Sequence, residues 1–306
     1  MADDDESRTR RDLLRWAAGG AALAALSGCK KPTPRPDEPP RDEPTPAVAA
    51  DASLVRVVSV PTAVEGGVLP DLLGRFREQS GLRTELVASD DLYALARAGK
   101  ADVAVSHYGH KHAEQFVMDG FGEWPRTLFS NQMALLGPKA DPAGVRGLDD
   151  AGEAFRRIAA SKSTFVLNDI DGVRYLTEIL WNLAGRPERD GWFIDDRAHR
   201  REDAIRFAAE KSAYVFWGLT PFLRSGNAEL EPLVLGDPLL QRMLVSILVK
   251  AAKVPGVNMV GAGALQDFLL SPITQAHVRE VRYPGAARVT WVPGGRHNRT
   301  AFLPKK

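Results

Sequence analysis

The sequence has a single cysteine, Cys29, among its 306 residues. One cysteine excludes a disulfide within the chain and any zinc or iron–sulfur site built from several cysteines. The net charge is only +1, from 40 basic and 39 acidic residues, so the composition gives no reason to expect nucleic acid, which normally needs a clearly basic face. No stretch reaches the roughly 18 apolar residues that a membrane-spanning helix needs, and we expect no such helix.

Motifs of the common hydrolases, nucleotide-binding loops and zinc proteases are also missing. We therefore predict a protein that is not an enzyme and has no catalytic residues and no cofactor. His107, His110 and His112 lie close together near Glu114, but their spacing suits a solvated loop better than a metal site, and we predict no metal. The enzymatic alternative is an acid–base pair of His107 and Asp171.

The first 29 residues have the pattern of an export signal. Arg10 and Arg11 precede an alanine-rich apolar stretch, 16–26, which has the length of a signal-peptide core. The arginine pair is typical of twin-arginine export, and Leu-Ser-Gly before Cys29 resembles the lipobox of bacterial lipoproteins. We therefore expect residues 1–29 to be a lipoprotein signal peptide, with Cys29 lipidated at the periplasmic face of a bacterial membrane. An apolar helix with a chance cysteine is the alternative.

Residues 30–52 form a proline-rich segment that has too few apolar residues to fold, and we predict a disordered tether there. Beyond it, short apolar strands alternate with amphipathic helices. This pattern predicts an α/β fold with mostly parallel sheets and flanking helices. We expect two lobes, 53–138 plus 236–306 and 139–235, with ligand binding between them at the carboxyl ends of strands.

Helical spacing predicts a helix from Val68 to Phe76, ended by Gly81, and a second helix over 151–160. A third helix follows Asp171, which suits its N-cap position. The β-branched run 55–60 predicts a buried strand.

An ordered series of landmarks resembles the bacterial periplasmic tungstate-binding proteins, the solute receptors of a class of ABC importers. The landmarks are Pro61-Thr62, Gly67 through Phe76, Ala101-Asp102-Val103 with His107, Asn131, Leu136-Gly137-Pro138, Asp141-Pro142-Ala143-Gly144, Phe165-Val166, Glu178, Trp181, Ala209-Glu210-Lys211 and Ala213-Tyr214. The resemblance covers about 55–281. It implies a type II periplasmic-binding-protein fold and an ABC permease as partner.

The ligand positions of that family are changed in this chain. Of the threonine and serine run after the family's first strand, only Thr62 remains. A Ser-Arg pair is replaced by Leu167-Asn168, and in the segment that follows only Asp171 matches. An Asp-Arg pair near a Thr-Tyr is replaced by a segment that includes Thr220. The resemblance therefore implies a receptor whose ligand site has been rebuilt.

We predict that nine residues line the cleft of this receptor. They are Thr62, Glu65, His107, Asn131, Asn168, Asp171, Arg174, Trp217 and Thr220. The expected ligand is a small solute, an oxyanion or a small organic molecule other than tungstate, and the expected receptor is a monomer whose cleft closes on it. Arg174 is the residue that could replace a lost cation, because an arginine there could reach an oxyanion in a bidentate fashion.

Two other functions stay open at this point. One is a lipoprotein adaptor or sensor that no longer transports a solute. The other is a genuine tungstate or molybdate receptor.

Overall fold

The computed structural model describes residues 51–287 and 289–294. The predicted signal peptide, with Arg10, Arg11 and Cys29, lies outside the described residues, as does the predicted tether except for its last two residues. Those two are held by the fold, because the backbone oxygens of Asp51 and Ala52 accept hydrogen bonds from Asn258 Nδ2.

The described residues contain ten β-strands. They are β1 (Leu54–Ser59), β2 (Arg83–Ala88), β3 (Val103–His107), β4 (Arg126–Pro138), β5 (Phe165–Val166), β6 (Phe193–Ile194), β7 (Tyr214–Gly218), β8 (Leu230–Val234), β9 (Gln241–Leu248) and β10 (Val292–Pro293). Their hydrogen-bonded order is β2-β1-β3-β9-β4-β7-β5-β6, and β8 and β10 also pair with β4. Pairs that include β4 or β9 are antiparallel, and the remaining pairs are parallel.

Ten α-helices flank these strands within the described part of the chain. They are α1 (Pro61–Glu65), α2 (Val68–Ser80), α3 (Leu92–Arg97), α4 (Lys111–Met118), α5 (Ala151–Ala160), α6 (Asp171–Leu183), α7 (Glu202–Glu210), α8 (Leu219–Ser225), α9 (Met259–Leu270) and α10 (Pro272–Val278). Among these helices, none has the length and apolar character needed to cross a membrane. The predicted α/β class with flanking helices is confirmed, and the sheet mixes parallel and antiparallel pairs rather than being mostly parallel, because β4 and β9 run antiparallel to their neighbours.

Strand β4 connects the two parts of the sheet. Its first half pairs with β9 and β10, and its second half pairs with β7 and β8. The buried apolar side chains form two clusters. The larger cluster includes Leu69 and Val103 and extends to Leu219 of α8, whereas the smaller one surrounds Phe155 and Phe165. The lobe boundaries at 138/139 and 235/236 stay a prediction.

Asp102 is a fully buried carboxylate just before β3. It accepts hydrogen bonds from the Arg56 backbone N–H at 2.7 Å, from Arg56 Nη2 at 2.6 Å and from the Asn258 backbone N–H at 2.9 Å. Because Arg56 lies on β1 and Asn258 caps α9, this carboxylate joins three elements. A buried charge is tolerated when it is paired and hydrogen-bonded in this way.

The predicted elements are found, with differences at their ends. Helix α5 spans the ten predicted residues 151–160, and α2 ends at Gly81, which has a φ of 72°. The prediction that Asp171 caps α6 was wrong. Ile170 is the N-cap, and Asp171 is the first helical residue, because the Ile170 carbonyl already accepts the backbone N–H groups of Val173 and Arg174.

Candidate functional site

Three polar side chains share one face of the sheet where β3, β9 and β4 lie side by side. His107, the last residue of β3, pairs with Leu244 of β9, and Arg242 of β9 pairs with Asn131 of β4. Directly paired residues lie on the same face, and so do residues two apart along a strand. The register therefore places His107, Arg242 and Asn131 together.

Thr62 of α1 joins this group. Its Oγ1 lies 3.2 Å from Nε2 of His107, and the other ring nitrogen, Nδ1, is buried without a hydrogen-bond partner. Burial lowers the pKa of His107 to about 3, with smaller contributions from the positive charges of Arg242 and His110. The His107 ring is therefore neutral in the physiological pH range.

Arg242 was missed by the sequence analysis. Its side chain is partly buried, and Nη1 donates a weak hydrogen bond to Sδ of Met133 at 3.6 Å. No carboxylate among the described residues lies within ion-pairing distance of it, and burial lowers its pKa. Because an unpaired guanidinium is costly to desolvate, Arg242 is the group in this region that most needs an anionic partner.

The guanidinium of Arg242 lies against the first turn of α6. A methyl group on Gly172 would approach Nη1 to 2.7 Å. The first backbone N–H groups of a helix have no intrahelical acceptor and carry partial positive charge. Arg242 and the start of α6 therefore present positive charge to the same region, and helix starts of this kind hold oxyanions.

Two of the predicted site residues have buried oxygens without partners. Asn131 Oδ1 and Thr220 Oγ1 have no hydrogen-bond partner, and both residues are at least 97% buried, with exposures of 3% and 0%. Buried polar atoms in native proteins nearly always have partners, so these oxygens are available to a polar ligand. Ser130 Oγ and Gln241 Oε1 are unpartnered as well, but strand alternation places them on the opposite face from Arg242.

Other predicted site residues are engaged with the protein itself. Arg174 Nη1 lies 2.9 Å from Asp195 Oδ1, and Arg174 Nε lies 3.3 Å from Asp169 Oδ1. Asn168 accepts a hydrogen bond from the Arg201 backbone N–H at 2.8 Å and donates one to the Arg201 carbonyl. These contacts leave Arg174 with two carboxylates and fix both ends of the Asn168 amide.

The remaining predicted residues have other surroundings in the fold. Glu65, at the end of α1, forms an ion pair with Arg224 of α8. Trp217 is 7% exposed and packs in the larger apolar cluster. Asp171 is an exposed residue in the first turn of α6, where an acidic side chain interacts favourably with the helix dipole. Their roles as ligand contacts stay predictions.

The histidines near β3 do not form a metal-binding group in the structure. Nδ1 of His110 accepts a hydrogen bond from the backbone N–H of His112 at the start of α4. Over residues 51–287 and 289–294, no group of three or more histidine, cysteine, aspartate or glutamate side chains is placed to hold a metal ion.

Comparison with known proteins relates the chain as a whole to a protein described as a component of an ABC transporter. No protein family model matches the chain. A Haloferax volcanii protein described as "Putative ABC transporter anion-binding protein" is 30% identical over 276 residues, which cover 86% of this chain and 80% of that protein.

Two solved structures agree with that relative. The tungstate-binding protein TupA from Desulfovibrio alaskensis G20 is 25% identical, with a TM-score of 0.66, over 78% of this chain and 98% of its own. The structure of the tungstate ABC transporter from Geobacter sulfurreducens is 25% identical, with a TM-score of 0.57, over 72% of this chain and 95% of its own. The expected periplasmic-binding-protein-like fold is thereby confirmed.

Proposed function

The chain belongs to the family of periplasmic tungstate-binding proteins, the solute receptors of ABC importers, and from that premise we propose that it is an anion receptor whose binding cation is Arg242. The family supplies the scaffold, and the side chains of this chain supply the site. A receptor of this kind binds its solute between two halves and delivers it to a membrane permease.

Arg242 is the observation that carries the proposal. It is a partly buried cation that no described carboxylate neutralises, and it faces the amino-terminal turn of α6. Thr62, His107, Asn131 and Arg242 provide polar groups on one side of the site. A small anion held there would receive charge-assisted hydrogen bonds from the guanidinium, each contributing roughly 1.5–3 kcal/mol.

The ligand we propose is not tungstate. The resemblance implies that the family's tungstate site uses several hydroxyl donors and an arginine in the segment after Val166, whereas this chain has Asn168 there, and both ends of its amide are bound to Arg201. Arg174, which could restore a cation nearby, is neutralised by Asp195 and Asp169. The donor set is therefore smaller and different.

The location we propose follows from residues outside the described part of the chain. Arg10 and Arg11 direct twin-arginine export, and lipidated Cys29 anchors the receptor on the periplasmic face of the membrane. The segment 30–52 then holds the folded part near an ABC permease. This arrangement keeps the receptor close to the transporter that it serves.

A thermal unfolding assay of the purified full chain tests the proposed function. The panel contains tungstate, molybdate, sulfate, phosphate and small carboxylates, with small amines as cationic controls. A ligand at 100 times its Kd adds about 2.7 kcal/mol to stability, so we expect an increase in Tm with at least one anion and none with amines. Stabilisation by amines alone, or by no compound, would contradict an anion receptor. Stabilisation by tungstate alone would mean that the ligand is tungstate, as in the family.

A further inference from the structure

The site around Arg242 also indicates what kind of anion it holds. We propose, on the basis of the anion-receptor function above, that the ligand is a singly charged anion that carries its own hydrogen-bond donor. A singly protonated oxyanion or a small hydroxycarboxylate has this chemistry, and a fully ionised, doubly charged oxyanion does not.

The charge of the site is the first argument. Arg242 contributes one positive charge, and His107 contributes none because its pKa is lowered to about 3. The nearby arginines already have acidic partners, since Arg174 contacts Asp195 and Arg224 contacts Glu65. The start of α6 adds only a partial positive charge, and Asp171 in the same turn carries a negative one. Arg242 therefore balances one negative charge, and a second negative charge would stay largely uncompensated.

The unpartnered acceptor beside that cation is the second argument. Asn131 lies directly opposite Arg242 across the β4–β9 pair, and its Oδ1 is buried without a donor. Arg242 and Asn131 form no hydrogen bond with each other in the structure. A ligand that accepts from the guanidinium and donates to Asn131 Oδ1 satisfies both groups, whereas an anion without a proton leaves the amide oxygen facing another oxygen.

His107 fits the same ligand. Its neutral ring has one nitrogen near Thr62 Oγ1 and the other, Nδ1, buried without a partner. The ring either accepts or donates at Nδ1 according to its tautomer, and it adds no charge in either form. His107 is thus compatible with the proposed ligand, while Asn131 selects for a polar hydrogen and Arg242 sets the charge.

Two matched series of anions test this inference by calorimetric titration of the purified full chain at mildly acidic pH. The first series is dihydrogen phosphate, perchlorate and sulfate, which share a tetrahedral shape. Phosphate then has one charge and two protons, perchlorate has one charge and no proton, and sulfate has two charges and no proton. The second series is glycolate, acetate and oxalate. Glycolate has one charge and a hydroxyl donor, acetate has one charge and no donor, and oxalate has two charges and no donor.

We expect the singly charged donor of at least one series to bind about tenfold more tightly than its two matched anions, the effect of one good hydrogen bond or one uncompensated charge. We also expect Asn131→Leu to remove the preference over the singly charged anion without a proton, perchlorate or acetate, and to keep the preference over the doubly charged anion, because Arg242 is unchanged. The comparison of anions on the unmodified protein decides the question even if this variant does not fold.

The two proposals fail differently in this experiment. Sulfate, oxalate or tungstate binding as tightly as the singly charged donors would overturn the inference and leave the anion receptor standing. Equal binding of singly charged anions with and without a polar hydrogen would overturn it too. Binding of no anion in either series would contradict both proposals.

Discussion

Nη1 of Arg242 lies so close to Gly172 that a β-carbon added to the glycine would approach it to 2.7 Å. This contact joins strand β9 to the first turn of α6. This contact explains why a glycine suits position 172. The backbone there is helical, so a positive φ is not the reason. A larger residue there must move the guanidinium, which is the flexible end of its side chain.

We therefore predict that Gly172→Ala weakens anion binding by about tenfold, the equivalent of roughly one charge-assisted hydrogen bond. Stability is expected to change little, because the added methyl group displaces only a flexible side-chain end. Calorimetric titration with the anion that stabilises the wild-type chain measures the affinity, and urea unfolding measures the stability.

Gly263→Ala is the matched control for that variant. Gly263 lies inside α9, and a β-carbon there would meet nothing within 4 Å. We expect unchanged anion affinity and a gain of about 0.5–1 kcal/mol, the usual advantage of alanine over glycine in a helix. Equal losses of affinity in both glycine variants would argue against a specific contact with Arg242.

We predict that the stability of the chain depends on pH through His107. Its pKa in the folded chain is about 3, below the 6.5 of an ordinary histidine, so between these values the unfolded chain binds a proton that the folded chain excludes. Stability therefore rises with pH across this window and falls on acidification. At pH of about 5 the loss due to His107 is at most about 2 kcal/mol, less to the extent that solvent reaches the ring.

Urea unfolding as a function of pH measures this effect. We predict that His107→Gln flattens the dependence between about pH 4 and 6.5, and that His112→Gln, which removes an exposed ring, keeps the wild-type slope. Identical slopes in the wild type and His107→Gln would mean that folding does not lower the pKa of His107.

We predict that substitution of Asp102 lowers the stability strongly and that Asp102 has no role in binding. Asp102→Asn leaves Arg56 without its carboxylate, and breaking a buried pair of this kind typically costs about 3–5 kcal/mol. Asp267→Asn is the control, because that side chain is 82% exposed and surface changes cost less than about 0.5 kcal/mol. A loss below about 1 kcal/mol for Asp102→Asn on urea unfolding would show that the pair contributes little.

The sequence pattern predicted the helices best, because their signals are local. In α5 the apolar spacing and the Asp150 cap, which accepts the Glu153 N–H, both lie within the helix. Strand β4 was not predicted, since Ser130, Asn131 and Gln132 interrupt its apolar pattern. These polar residues are explained by neighbouring strands rather than by β4 itself.

The candidate site could be predicted only in part for the same reason. Thr62 and His107 follow strands, and their contact agrees with the rule that strand ends gather polar groups. Arg242 lies just before the apolar run 244–249, and nothing in that segment reveals the start of α6 beside it. An arginine entering a buried strand was the available signal. Arg174 had the better local position, but Asp195, distant in sequence, neutralises it.

We predict that the amino-terminal residues determine the export of the protein and its attachment to the membrane. Cys29→Ser should abolish labelling by an alkyne-bearing fatty acid and release the protein from membranes, because no acyl chain is then attached. Replacing Arg10 and Arg11 by lysine should leave precursor in the cytoplasm, since twin-arginine export reads that pair. Unchanged membrane fractionation of Cys29→Ser would contradict the lipid anchor.

Comparison of Arg242→Gln with Arg174→Gln tests whether Arg242 is the cation that binds the anion. Calorimetric titration of both variants and the wild type should use the same anion, with urea unfolding as a check of folding. We predict that Arg242→Gln weakens binding by about 100-fold or more, from the loss of a charge-assisted pair, while Arg174→Gln stays within about threefold of the wild type. If a folded Arg242→Gln protein kept its anion binding and Arg174→Gln lost it, Arg242 would not be the cation that binds the anion.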